Sequence, residues 1–208
     1  MFVLGLTGSI GMGKSTVAAM FVRCGALVHD ADAAVHRLYG PGGAAVPVIR
    51  GLVPQAVVGE GHSARVDRAA LGKAVLADRA ALLALERVVH PLVGADRDRF
   101  LRWSCRRRVG LVVMDVPLLF ETGGERGVDA SCVVSAPSFV QACRVLRRPG
   151  MTPEKLASIR ARQMADAEKR HRADHVIPTG LSKGLTWRRV RALARELDGL
   201  GGSIWPPR

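Results

Sequence analysis

The segment Gly8-Ser9-Ile10-Gly11-Met12-Gly13-Lys14-Ser15 fits the pattern G-x-x-x-x-G-K-[ST] and directly follows the apolar run Phe2-Val3-Leu4-Gly5-Leu6. The chemistry it predicts is polyphosphate binding. Glycines let the backbone curl until successive N–H groups face phosphate oxygens, and a helix starting there adds its positive end. In this reading Gly11, Met12 and Gly13 form the turn and Lys14 reaches the terminal phosphates. Ser15 offers its hydroxyl to Mg2+, and Thr16 extends the first turn toward the nucleotide. A bare octapeptide of this type also occurs in ordinary glycine-rich turns. Here the strand before it and the amphipathic segment 15–24 after it argue for a nucleotide loop.

Carboxylates stand where other strand-like runs end, the place at which parallel-sheet enzymes gather their functional groups. Asp30 and Asp32 follow the run 26–29, and Asp115 closes Leu111-Val112-Val113-Met114. Asp30 immediately precedes a helical pattern, so it is either an N-cap or a site residue. Asp32, one turn in, either complements the helix dipole or accepts the proton of a hydroxyl attacking a γ-phosphate, and we favour the second role. Asp115 resembles the metal-holding carboxylate of P-loop enzymes, the alternative being a cap on Val116-Pro117. After it, Leu118, Phe120 and Glu121 are either core or one wall of an acceptor pocket. His90 reads as the end of one helix with Pro91 starting the next, and pattern alone makes it a cap or a core histidine. Ser138-Phe139-Val140-Gln141 has capping-box spacing. Gln141, Arg144 and Arg148 fall at i, i+3 and i+7, a face that suits cations aimed at phosphate or simply one in contact with solvent.

The elements that must position these groups alternate between strand and helix, which predicts an α/β fold with a five-stranded parallel sheet. The strands read as 2–6, 26–29, 109–114, 130–134 and 174–177. Between the second and third lie helical patterns at 30–39, 67–77, 80–89 and 91–107, too much chain for a loop, and therefore a helical substrate-binding insertion over about 41–107. A second interruption, about 149–170, opens with Pro149-Gly150 and a helix start at Thr152-Pro153-Glu154, where Thr152 can cap. Its load of Arg and Lys suits a mobile lid that brings cations over a transferring phosphate. The core then comprises about 1–40, 108–148 and 171–200, and the segment 199–208 reads as a frayed tail.

The chain has 208 residues, 48% hydrophobic and only 4% aromatic, enough for one domain with a core of Ala, Val and Leu. No apolar run approaches the roughly 20 residues that span a bilayer, and the first strand begins without a basic leader, so a cytoplasmic enzyme is expected. Cys24, Cys105, Cys132 and Cys143 are scattered, which argues against a disulfide framework or a zinc site. The formal charge of +13 keeps a nucleic-acid-binding ATPase in view. Its two arginine clusters, at 102–108 and 188–195, lack interleaved stacking aromatics, so a solvated basic face, or attraction of an anionic small substrate, is preferred. The sequence contains no Asn, which removes the N-K-x-D guanine-reading motif and with it a GTP switch.

With these residues set out, the chain resembles the dephospho-CoA kinase family. The resemblance is carried by Gly5 through Thr16, His29-Asp30-Ala31-Asp32, Leu85 through Pro91, Asp115 through Glu121, the Gln141/Arg144/Arg148 helix, Gln163-Met164 and Ala173 through Ile177. It implies a P-loop kinase fold and ATP-dependent phosphorylation of the ribose 3′-hydroxyl of dephospho-CoA, the last step of coenzyme A biosynthesis. By resemblance Asp32 is the base and Arg148 a lid arginine that stabilises the transferring group, with Arg144 beside it on the nucleotide. His90, Leu118, Phe120 and Glu121 belong to the acceptor side, and Ser15 and Asp115 to Mg2+. The partners implied are ATP and dephospho-CoA, with no nucleic acid or membrane, in a monomer or weak homo-oligomer. One departure concerns the adenine: the family places an Asn where this chain has Thr179. The nearest rival is a P-loop kinase for another hydroxyl or nucleotide acceptor.

Overall fold

A computed structural model describes residues 1–76 and 79–206 of the chain. In chain order the elements begin with β1 (Phe2–Thr7), α1 (Lys14–Arg23), β2 (Leu27–Asp30), α2 (Ala31–Tyr39) and α3 (Ala45–Leu52). There follow β3 (Val57–Val58), β4 (Arg65–Val66), α4 (Arg68–Leu76), α5 (Arg79–Arg106), β5 (Leu111–Asp115) and β6 (Ala130–Ser135). The chain continues through α6 (Ser138–Leu146), α7 (Pro153–Arg162), α8 (Asp166–Arg172), β7 (His175–Pro178) and α9 (Lys183–Leu197). Two compact units result, Met1–His29 with Trp103–Arg208, and Asp30–Arg102.

The first unit is built on the five-stranded sheet, in the order β2-β5-β1-β6-β7. The β1, β5 and β6 strands pair in parallel, with Phe2 opposite Leu111 and Leu6 opposite Asp115. Central parallel strands are covered on both faces and so lack polar alternation. Accordingly Val3, Leu4, Leu6, Val112, Val113, Cys132, Val133 and Val134 are all fully buried. Burying each such Val or Leu contributes about 1.5–3 kcal/mol. Val17 and Phe21 of α1 and Val190 and Leu193 of α9 join the cluster on one face. The register sets Asp115 beside the end of β1, next to the glycine loop. The second unit has its own apolar core, in which Val46, Ile49, Val66, Leu71, Leu85 and Val89 meet.

The structure corrects several expectations. Pro91 lies inside a continuous α5, so His90 does not end a helix. A proline in a helix interior removes one hydrogen bond and crowds the preceding turn. Here buried Leu85 and Val89, with Leu92 and Val93 packed against the same cluster, hold the helix through it. The expected helix end at Ala77 lies outside the described residues. Ser138 does not cap α6, whose N-cap is Pro137 without a side-chain hydrogen bond. Arg148 lies beyond the end of α6, whereas Gln141 and Arg144 are on it. Of the expected tail, Ser203 and Ile204 are pinned, since Asp129 Oδ1 accepts from Ser203 N at 2.6 Å and Ile204 N at 3.0 Å, and 207–208 lie outside the described residues. One arginine of the 102–108 cluster does have an aromatic neighbour, Arg107 lying over Trp103 at 4.3 Å. The hairpin β3–β4 has only two residues in each strand, too short to leave a periodic signature. Thr152 caps α7 as expected, accepting from Lys155 N.

Candidate active site

The loop between β1 and α1 takes its shape from Gly11 and Gly13, at φ 76° and 94° in the left-handed region. A Cβ at Gly11 would stand 2.5 Å from Val145 Cγ2, so the loop lies directly against α6. When a backbone turns its N–H groups inward to form an anion nest, its carbonyls face outward and need donors. Three successive carbonyls receive them. Gln141 Nε2 donates to Ile10 O at 2.8 Å, Arg144 Nη1 to Gly11 O at 3.4 Å, and Thr179 Oγ1 to Met12 O at 2.5 Å. Arg144 also donates to Thr179 Oγ1 at 3.1 Å and to Thr179 O at 2.6 Å, joining α6 to the loop after β7. Met12 is itself buried, its Sδ accepting from Ala136 N at 3.1 Å.

At the mouth of this loop Lys14 Nζ is ion-paired with Asp115 Oδ1. Asp115 is only 5% exposed, so its charge needs a cation. Lys14 supplies one, and its flexible stem can leave for a phosphate if a second cation takes its place. The donor set fits Mg2+: the hydroxyl of Ser15 stands in the first turn of α1 and the carboxylate of Asp115 ends β5, both hard oxygen ligands. Ser15 and Thr16 are exposed.

The turn after β5 is tied to the end of the cationic segment. Lys169 of α8 has no solvent exposure; its Nζ reaches Glu121 Oε1 at 2.8 Å and Pro117 O at 3.4 Å. Glu121 Oε1 also accepts from Met164 N at 3.0 Å. Burial alone would raise the pKa of Glu121, but the hydrogen bonds from Lys169 and Met164 outweigh it and hold the carboxyl below its ordinary value. Phe120 is buried with the Arg172 guanidinium 5.0 Å from its ring centre, while Leu118 is exposed. A cavity of about 750 Å3 lies between the loop flank at Ser9 and Met12, the start of α6, and the end of the cationic segment at Met164 and Asp166.

In the second unit, Asp30 Oδ1 caps α2 by accepting from Ala33 N at 2.9 Å. That leaves Asp32, exposed in the first turn of the same helix, without a hydrogen bond or ion pair among the described residues. His90 is exposed midway along α5. Arg148 is likewise exposed, with no ion pair among the described residues. The sequence reading named Gln163 and the cationic segment that holds Lys169 but not the contacts they make, and it missed the carbonyl-binding role of Gln141 and Thr179. Gln141 and Gln163, uncharged within arginine-rich stretches, were the one hint.

A parallel sheet with this glycine loop after β1 and a carboxylate ending the neighbouring β5 defines the P-loop nucleotide-binding class, to which ATP-using kinases belong. The dephospho-CoA kinase family matches residues 2–182, and the chain belongs to that family. A dephospho-CoA kinase of Mesorhizobium japonicum is 52% identical over 203 residues, 98% of this chain and 100% of the relative. One from Paramagnetospirillum magneticum is 55% identical over 170 residues, 82% of this chain and 78% of its own. Among solved structures, TT1252 from Thermus thermophilus superposes with a TM-score of 0.80 at 36% identity, covering 95% of this chain and 98% of its own. Dephospho-CoA kinase from Campylobacter jejuni, at 21% identity and TM-score 0.68 over 94% of this chain and 96% of its own, shares the fold. No helix among the described residues is long and apolar enough to cross a membrane.

Proposed function

We propose that the chain transfers the γ-phosphoryl group of ATP to the ribose 3′-hydroxyl of dephospho-CoA, giving coenzyme A and ADP. The observation that carries the site-level reading is the Lys14–Asp115 pair at the mouth of a loop whose carbonyls are tied back. Gly11 to Thr16 present N–H groups and hydroxyls to the β- and γ-phosphates, and Lys14 moves from Asp115 onto their oxygens. Ser15 and Asp115 would hold Mg2+, which when bound neutralises charge on the β/γ oxygens. Asp32 accepts the proton as the 3′-oxygen bonds to the γ-phosphorus and the bond to the leaving β-phosphate oxygen breaks. Arg148, together with Arg144, meets the developing charge.

The same proposal assigns residues 41–107 to acceptor binding, with His90 and the Leu118, Phe120 and Glu121 segment on the acceptor side, and 149–170 to a lid. Lid closure excludes water that would otherwise hydrolyse ATP. A cytoplasmic enzyme, monomeric or weakly self-associating and without a nucleic-acid partner, belongs to this reading, because both substrates are soluble cytoplasmic nucleotides. ADP release measured over a panel of dephospho-CoA, AMP, shikimate and single-stranded DNA tests it. Stimulation by dephospho-CoA alone is expected. Stimulation by another small acceptor, or by DNA, would replace it with the rival kinase or the nucleic-acid-dependent ATPase.

A further inference from the structure

Ile10 belongs to the phosphate loop, yet both of its peptide groups are held by glutamines from elsewhere. Gln141 Nε2 donates to its carbonyl at 2.8 Å, and Gln163 Oε1 accepts its N–H at 3.2 Å. Gln141 is only 4% exposed, so the other end of its amide also needs a partner within the protein. Arg160 in the last turn of α7 supplies one: Nε at 2.9 Å and Nη2 at 2.5 Å both donate to Gln141 Oε1. The same Nη2 reaches Ser138 O at 3.1 Å. A side-chain amide donates at one end and accepts at the other. Rotated by half a turn, Gln141 would set its NH2 against the Arg160 donors and its oxygen against Ile10 O, so the network admits one orientation.

We propose that Gln141 is a positioning residue that couples the phosphate loop to α7, so that filling the loop and docking the lid helix are one event. The inference rests on reading 149–170 as a lid and supplies the link that reading lacks. A triphosphate that fixes the Ile10–Gly13 backbone in its nest conformation holds Ile10 O on Gln141. Gln141 Oε1 is thereby held where Arg160 binds it, and Gln163 adds a second tie from just beyond α7. Linkage makes the effect reciprocal: whatever docking of α7 gains from nucleotide, nucleotide affinity gains from docking. A residue that merely stabilised α6 would show no such exchange.

The test uses Arg160→Met, Gln141→Met and the double variant, with a non-hydrolysable ATP analogue as probe. Each is read by calorimetric binding and by amide exchange over 153–163 with and without the analogue. Wild-type protein should gain protection there on binding. Arg160→Met, at an exposed position that leaves the core intact, should lose that gain and bind the analogue about 10-fold more weakly, the scale of a charge-assisted hydrogen bond. Gln141→Met should match it, and the double variant should bind no more weakly than Gln141→Met alone, because Arg160 acts through Gln141. Arg160→Lys should recover part of the loss. Retained protection in Arg160→Met, or single effects that multiply in the double variant, would overturn the coupling. Absence of dephospho-CoA phosphorylation alongside the predicted exchange pattern would instead remove the acceptor assignment and leave this coupling standing.

Discussion

Replacing Glu121 with Gln removes the anionic half of an ion pair whose other half, Lys169, has no exposure to solvent. Among the described residues the ammonium would keep Pro117 O, at 3.4 Å, and the new amide. Breaking a buried pair on one side costs about 3–5 kcal/mol because the remaining charge stays desolvated. In a chain of this size that corresponds to a fall in Tm of roughly 10 °C. Lys169→Met should cost less, since Glu121 is 18% exposed and keeps its bond from Met164 N. The double variant should be more stable than Glu121→Gln alone. All three tryptophans, Trp103, Trp187 and Trp205, lie in the unit that holds this pair, so fluorescence-monitored melting reads it. The sign with pH is fixed by the depressed pKa of Glu121. Its contribution is fully present above the unfolded value near 4.5 and is lost as pH falls through the lower folded value. The gap between wild type and Glu121→Gln should therefore close in acid. A Glu121→Gln protein within about 1 kcal/mol of wild type at neutral pH, or a gap indifferent to acid, would refute a buried charge pair at this position.

Further outcomes follow from the site. Asp32→Asn should keep nucleotide affinity yet lower kcat by about 100-fold or more, the scale of general-base catalysis, as stopped-time product assays would register. Lys14→Met should lower kcat by about 100- to 1,000-fold, because it deletes a cation aimed at the transferring charge. Thr179→Val removes the hydroxyl from Met12 O and one acceptor from Arg144, so the KM for ATP should rise by about 5-fold while kcat changes less.

What the sequence made legible was local. The glycine spacing with the helix that follows it, and the Asp that closes the apolar run of β5, are each written within a few residues, and so are the caps at Asp30 and Thr152. The ties that hold the loop were not legible, because Gln141 and Ile10 stand 131 positions apart and no local pattern relates them. Ser138 and Gln141 have capping-box spacing, but Gln141 is turned to Ile10 and Arg160, a tertiary demand that overrides the local motif. Pro91 was misread for the converse reason: a rule about isolated helices yields where the flanking residues pack into a core. The tail looked frayed by composition, and one carboxylate, Asp129, anchors it.

The proposed reaction is tested most directly by the product itself. Purified protein incubated with ATP, Mg2+ and dephospho-CoA should convert the acceptor to a species bearing one new phosphomonoester on the ribose 3′-oxygen, one ADP appearing for each, as phosphorus NMR and mass spectrometry would read together. Asp32→Asn should give the same product far more slowly. ADP formed without that monoester, or a phosphate placed on any other oxygen, would contradict the assignment of acceptor and base alike.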